Sequence, residues 1–296
     1  MPELPEVEVL VRHLALRMPG RRIRRVTVRR ARVVAPCTPE ELSQKLRGAT
    51  FQGLTRRAKY LLFAMRGRDG GAFTLLGHLG MTGRMYWLPA KQALPKHAAV
   101  ILHCGPENFV FEDTRYFGRF TIDPGAIASL GPEPLGGKFT AEYFFKALKS
   151  SRQPIKVKLL DQQLVAGVGN IYASEALFRA GISPLTPARG LKRLQVVALR
   201  RAIRATLRVA IKRGSTLPLN FSGTGNGDGL FYYGSPPGES NFTTERLRVY
   251  DRAGKPCRKC RTAIERIVQA ARSTFYCPQC QSQVFSRKSH GEIPSR

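Results

Sequence analysis

The sequence predicts a multidomain α+β protein: an N-terminal helix, an antiparallel β-sandwich, a helical middle domain and a small C-terminal hairpin closed by four cysteines. Three observations carry this reading. Short apolar runs punctuated by Gly and basic residues fill positions 21–122, helix formers at helical spacing follow Pro134, and two CxxC pairs stand near the end. The 296 residues exceed the ~100–200 of one typical domain, and 43% hydrophobic residues suffice for several cores. The boundaries fall at 1–134, 135–246 and 247–285, with a tail at 286–296.

In the first unit, Val7, Leu10, Val11, Leu14 and Leu16 recur near the helical period, so a helix is expected over Glu6–Arg17, ended by Gly20. Strand-like runs follow at Ile23–Val28, Thr50–Leu54, Tyr60–Ala64, Ala72–Leu76, Ala99–Cys104, Asn108–Glu112 and Phe117–Ile122. Seven or eight such strands make two packed sheets the simplest arrangement, and Gly131-Pro132-Glu133-Pro134 closes the unit. Helices are then expected at Ala141–Leu148, Lys156–Leu160, Asn170–Ala180 and Leu191–Lys212. The last sets Val196, Leu199, Ile203, Leu207 and Ile211 against Arg200, Arg201, Arg204 and Arg208, a basic face open to solvent or to a polyanion. Residues 215–241, with six Gly and three Pro, read as a long mobile loop, and the residues after Arg287 as a disordered tail.

Lysine and arginine total 49 against 20 acidic residues, a net charge of +29 that demands a polyanionic partner. Nucleic acid leads and an anionic membrane comes second. No apolar run approaches the ~20 residues of a spanning helix, and Glu3, Glu6 and Glu8 stand where a secretory signal needs positive charge. A soluble monomer of the bacterial cytosol or nucleoid is expected.

Cys257-Arg-Lys-Cys260 and Cys277-Pro-Gln-Cys280, sixteen residues apart, allow two knuckles to set four thiolates around one zinc. A site closed by four cysteines leaves no open coordination position, so its expected role is structural. Cys37 and Cys104 read as packing residues. Arg258, Lys259, Arg261, Arg266 and Arg272 make the finger a candidate phosphate-binding surface, although a zinc ribbon can also merely cap a fold.

The chain opens Met1-Pro-Glu-Leu-Pro-Glu-Val-Glu. Removal of Met1 would leave Pro2 with a secondary amine of pKa ~8, partly neutral near pH 7 where a lysine at ~10.4 is not. Such an amine can attack a sugar C1′, and Glu3 can move the protons. The same Pro-Glu pattern also serves ordinary helix capping.

Taken together, several segments resemble the formamidopyrimidine-DNA glycosylase family. They are Pro2–Glu8, Lys59–Leu62, His78-Leu-Gly-Met-Thr-Gly83, Asp113-Thr-Arg-Tyr-Phe-Gly118, Leu160-Asp-Gln162, Val165–Glu175 and the zinc module through Gln281. The resemblance spans nearly the whole chain. It implies a helix and β-sandwich, a helix-two-turn-helix domain and a zinc finger, with damaged double-stranded DNA held between the halves. It also implies base-excision repair: extrusion of an oxidised purine such as 8-oxoguanine, cleavage of its glycosidic bond, and strand nicking by β,δ-elimination.

By the same resemblance Pro2 is the Schiff-base nucleophile, Glu3 the proton shuttle, Glu6 an acid near the deoxyribose and Lys59 a hairpin lysine assisting the lyase steps. Met81, Arg115 and Phe117 match a trio inserted into the duplex, in which Met and Phe replace lost stacking and Arg bonds the widowed cytosine. Read alone, Met81 and Phe117 would be core residues. Lys156, Asn170 and Arg272 match phosphate clamps. Endonuclease VIII-like enzymes share this architecture but usually begin Pro-Glu-Gly-Pro-Glu; Leu4, Met81 and Phe117 favour the purine enzyme. A silent DNA-binding relative and an RNA-binding zinc protein are the readings from other classes.

Three features depart from the family pattern. Arg261 stands where glycine is usual, so a left-handed knuckle residue would cost roughly 1–2 kcal/mol. The loop at 215–246, expected to cap the extruded base, is long and unusual, which leaves the lesion spectrum open. Seven arginines crowd Arg21–Arg32, which would raise general DNA affinity; the sequence leaves any further role open.

Overall fold

The computed structural model describes residues 2–214 and 247–282. Helix α1 (Leu4–Ala15) begins two residues before the expected Glu6, because Pro5 is tolerated in a first turn and the Glu3 N–H is satisfied by Glu6 Oε2 at 2.9 Å. It ends before Leu16, which is 88% exposed, and Gly20 (φ +80°) shapes the following turn instead of stopping the helix. Strand β1 (Arg25–Val28) follows, then α2 (Pro39–Leu46), a helix absent from the sequence reading although Thr38 and Glu41 form a reciprocal capping box in front of it.

Then come β2 (Thr50–Arg57), β3 (Tyr60–Arg66), β4 (Ala72–His78), β5 (Arg84–Pro89), β6 (Ala98–His103), β7 (Glu107–Glu112) and β8 (Arg119–Thr121). The last is shorter than expected, and Phe117 lies in the loop before it. Two four-stranded antiparallel sheets form, ordered β1-β6-β7-β5 and β2-β3-β4-β8. Phe51, Phe63, Trp87, Phe109 and Phe120 meet between them, most of them edge to face, with ring centroids 5.2 to 6.4 Å apart. Cys104 packs in this same core.

A short helix α3 (Gly125–Ala128) leads to the Gly131–Pro134 boundary, where Glu133 accepts bonds from Arg56, Arg57 and the Ala58 N–H. The helical unit holds α4 (Ala141–Lys149), the single turn α5 (Ile155–Lys158), α6 (Asn170–Ala180) and α7 (Arg193–Lys212). Its core includes Leu4 from α1, whereas Val7, Leu10, Val11 and Leu14 pack into the sandwich, so α1 joins the two units. On α7, Arg200 and Arg204 donate to the carbonyls of Phe139, Pro134 and Gly136, leaving Arg201 and Arg208 as the exposed part of the expected basic face. The last pair of strands, β9 (Glu265–Gln269) and β10 (Arg272–Tyr276), forms the predicted hairpin. Glu175 of α6 anchors its approach, accepting the backbone N–H groups of Arg248, Val249 and Tyr250.

Candidate active site

The N-terminus is laid against the start of α6. Glu3 Oε2 accepts the Gly169 N–H at 2.8 Å, and Oε1 accepts the Ile171 N–H at 2.8 Å, so one buried carboxylate fills the positive end of the helix. Two glycines permit this approach. A Cβ on Gly169 would come within 2.3 Å of the Glu3 carboxyl carbon, and one on Gly167 (φ +91°) within 2.7 Å of Leu4. Gln162 shapes this turn, accepting the Gly167 N–H and donating to the Leu160 and Val168 carbonyls.

Pro2 is buried at this junction, beside Glu3. Glu6 is fully buried and accepts the Tyr172 hydroxyl at 2.5 Å, a partner not found from sequence. Lys59 occupies the two-residue turn between β2 and β3, next to Ala58 at φ 54°. Its side chain is buried, and burial lowers its pKa; the charges of Glu3 and Glu6 oppose that shift and Arg272 adds to it. Burial also raises the Glu3 pKa. Lys59 opposes this, Glu6 reinforces it, and the amide bonds from Ile171 and Tyr172 oppose it.

Lys156 is buried and donates to Asn170 Oδ1, while Asn170 Nδ2 donates to the Ser273 carbonyl at 2.8 Å. The chain therefore runs from the helical unit into the finger. Burial and the neighbouring Arg272 lower the Lys156 pKa to about 8, against the pull of Glu3. Arg272 opens β10 and is exposed, with its charge felt at both lysines. One region thus gathers Pro2, Glu3, Glu6, Lys59, Lys156, Asn170 and Arg272.

Met81, Arg115 and Phe117 sit apart from it, on two loops beyond β4 and β7. Met81 is 38% exposed and Phe117 42%, so neither is a core residue. The Arg115 guanidinium lies 5.0 Å from the Phe117 ring centroid and that of Arg32 5.4 Å. Asp113, which no sequence pattern singled out for this role, ties the loops together. It accepts the Thr82 hydroxyl at 2.6 Å and the backbone N–H groups of Arg115 and Gly118. Gly80 and Gly118 abut so closely that a Cβ on either would fall 2.6 Å from the other loop's or strand's backbone. His78, whose Nδ1 accepts the Gly80 N–H, is held neutral by burial and by Lys59 and Arg119, which lower its pKa to about 4; Asp113 opposes them.

The four cysteine sulfurs lie within 4.8 Å of one another, with Cys257–Cys280 at 3.9 Å and Cys260–Cys277 at 3.4 Å. A tetrahedron with ~2.3 Å zinc–sulfur bonds has edges of ~3.8 Å, so the donor set fits that metal. Arg261 adopts the left-handed conformation (φ 68°) that its position in the knuckle led us to expect. The expected capping loop at 215–246 and the tail at 286–296 lie outside the described residues.

Comparison with known proteins gives a consistent match. Residues 1–120 match the formamidopyrimidine-DNA glycosylase N-terminal domain, 130–220 the H2TH domain of that enzyme, and 254–283 the zinc finger found in FPG and IleRS. The formamidopyrimidine-DNA glycosylase of Thiobacillus denitrificans is 41% identical over 287 residues, covering 95% of this chain and 100% of the relative. That of Symbiobacterium thermophilum is 40% identical over 290 residues, covering 95% and 89%. The Lactococcus lactis Fpg in complex with abasic-site DNA superposes with a TM-score of 0.82 at 32% identity, covering 95% of this chain and all of that one. The same enzyme has also been solved with DNA containing N7-benzyl-Fapy-dG, again at a TM-score of 0.82. The chain belongs to the formamidopyrimidine-DNA glycosylase family, DNA-repair enzymes that act on damaged bases.

Proposed function

We propose that this glycosylase is bifunctional, excising oxidised purines such as 8-oxoguanine and formamidopyrimidines and then nicking the strand. In this reading Pro2, freed by loss of Met1, attacks C1′ of the extruded nucleotide. The C1′–N bond breaks and its electron pair leaves with the base, which takes up a proton. Pro2 gives up its N–H proton and the sugar ring opens, the C1′–O4′ electron pair leaving on O4′, which takes up a proton; the resulting iminium on Pro2 acidifies C2′–H. Loss of that proton expels the 3′-phosphate, and a second elimination expels the 5′-phosphate. Glu3, with its raised pKa, moves protons at the sugar; Glu6 holds the geometry near the deoxyribose through its own buried bonds. Lys59 assists the eliminations from the phosphate side.

Lys156, Asn170 and Arg272 are assigned to phosphates around the flipped nucleotide, and Met81, Arg115 and Phe117 to the gap it leaves. Cys257, Cys260, Cys277 and Cys280 would hold one zinc, which supplies rigidity to the finger and no reaction step. We read 1–134 as the catalytic sandwich unit, 135–246 as the helix-two-turn-helix unit with its capping loop, and 247–285 as the finger, in a monomer of the bacterial cytosol. Among the described residues no helix is long and apolar enough to cross a membrane.

The observation that carries this reading is the burial of Glu3 at the start of α6 with Lys59 as its electrostatic partner, which sets the N-terminus among the phosphate-binding cations. Borohydride trapping on a duplex with one 8-oxoguanine opposite cytosine, followed by mass spectrometry, tests it. A cross-link at Pro2, greatly reduced in Pro2→Gly, is expected. A cross-link at another residue removes Pro2 from the chemistry, and trapping only on an oxidised pyrimidine transfers the enzyme to the sister specificity.

A further inference from the structure

We propose that the sandwich carries a second phosphate-binding site, at the end away from Lys59, which takes the backbone of a second DNA duplex. A cavity of about 620 Å³ opens there, lined by Arg21, Arg22, Arg24, Arg47 and Arg68. Its position follows from strand register. Lys59 adjoins Tyr60 at one end of β3, whereas Arg66, paired with Thr50 and Ala72, marks the other. Seven residues at ~3.3 Å each separate the two ends by roughly 20 Å. Arg22 bridges to Thr50 and the Gly48 N–H bonds the Ile23 carbonyl, so both segments lie at the far end.

The site is built, not merely basic. Gly20 and Gly48, both at positive φ, line it, and Gly105, also at positive φ, joins the lining residues Cys104 and Pro106. A Cβ on Gly48 would sit 3.4 Å from the Arg68 stem, and one on Gly105 3.7 Å from the Arg24 guanidinium, so both arginines lie within contact range of these glycines. Arg21 pairs with Glu107 at 2.8 Å and stacks on Trp87. Arg22, Arg24, Arg47 and Arg68 are exposed and have no acidic partner among the described residues. Four like charges kept together without counter-charge favour a polyanion.

The lining also says which part of a nucleic acid is read. No carboxylate, amide or hydroxyl side chain lines the cavity, so no side chain there accepts a hydrogen bond from a base or sugar. Guanidinium groups match phosphate oxygens in pairs. A lining of guanidinium donors without acceptors suits phosphate oxygens, and so a sequence-independent contact with a neighbouring duplex while the first is held at the active site. The inference does not depend on the Pro2 chemistry.

The test uses the full chain and two short duplexes with different dyes. One carries an abasic analogue and fills the cleft at equimolar ratio; the other is undamaged, and two-colour sedimentation follows both. The wild type should carry both duplexes in one complex, with second-duplex affinity falling roughly 10²-fold between ~50 and ~200 mM salt for four phosphate contacts. The variant R22Q/R24Q/R47Q/R68Q should lose the second duplex by at least tenfold while retaining the first, with wild-type excision of a lesion in a short duplex. The control R201Q/R208Q/K212Q/R213Q removes four exposed cations along α7 and at its C-cap and should keep it.

A one-duplex limit in the wild type overturns the proposal, as does equal loss in both variants, which would assign the effect to diffuse charge. Inorganic tripolyphosphate provides the remaining arm. Tight binding of it that depends on the four arginines, without a second duplex, replaces DNA by free polyphosphate as the ligand.

Discussion

Glu3 combines two demands in a single carboxyl group: it caps α6 through backbone N–H groups, and we assign it the proton transfers at the sugar. Glu3→Gln retains one acceptor oxygen but turns an amide NH₂ toward donors and removes the titratable group. Single-turnover excision should fall at least ~10²-fold, the usual scale of a general acid–base contribution, while affinity for lesion duplex stays near wild type. Full excision would assign Glu3 to capping alone. The pair Pro2-Glu3 was legible from the sequence mainly through resemblance, since Pro and Glu near a helix start are ordinary on their own. Tyr172 and Asp113 were not legible as positioning groups. The Tyr172 bond to Glu6 spans 166 positions, and Asp113 joins loops 31 positions apart, so no local pattern encodes either. Asp113→Ala removes bonds to both loops and leaves the exposed Met81, Arg115 and Phe117 without a common anchor. Lesion-duplex affinity should drop about tenfold, with β,δ-elimination of a preformed abasic site less affected; an unchanged affinity would separate loop order from DNA binding.

At the scale of elements, the sequence periods placed seven of the eight sandwich strands and the long helices within a few residues, and passed over β5 (Arg84–Pro89). The helix α2 was passed over because it is short and mostly polar, so its apolar period is faint, and its capping box Thr38–Glu41 was the more telling signal. The finger shows a tension between local preference and fold. Its two-residue turn places Ala270 at φ 47° and Ala271 at φ 57°, and Arg261 shares that conformation in the knuckle. Such turns favour Asn-Gly, because each non-Gly residue at positive φ costs roughly 1–2 kcal/mol. The double substitution Ala270→Asn, Ala271→Gly should therefore stabilise the finger by about 1–2 kcal/mol, read as slower proteolysis of the finger at equal zinc content. DNA affinity should not change, since Arg272 keeps its place in the ladder. Cys257→Ser acts in the opposite direction: with one ligand lost, the hairpin that presents Arg272 should come apart and lesion-duplex affinity should fall sharply.

For the whole molecule, the charge of +29 announced a polyanion, but the sequence did not show how that charge is divided. Arg56 and Arg57 bind Glu133 at the unit boundary, Arg200 and Arg204 cap carbonyls, and Lys59, Lys156 and Arg272 gather at the candidate active site. There Arg272 is close enough to both lysines to lower their pKa values. Arg272 adds to the burial that lowers Lys156 to about 8, well under the ordinary 10.5. In the unfolded chain that lysine keeps its proton to higher pH, so its contribution makes the free protein more stable as pH rises through about 8 to 10.5. DNA reverses the preference. A phosphate beside Lys156 favours its charged form and raises its pKa, so binding takes up a proton in that same window. Affinity for a lesion-analogue duplex should therefore weaken from pH 8 toward 10, by up to tenfold per unit from this group, and calorimetry in buffers of different ionisation enthalpy should record the proton uptake. Lys156→Gln should flatten the dependence and bind more weakly at pH 7; an unchanged slope in that variant would place the titrating group elsewhere in the cleft.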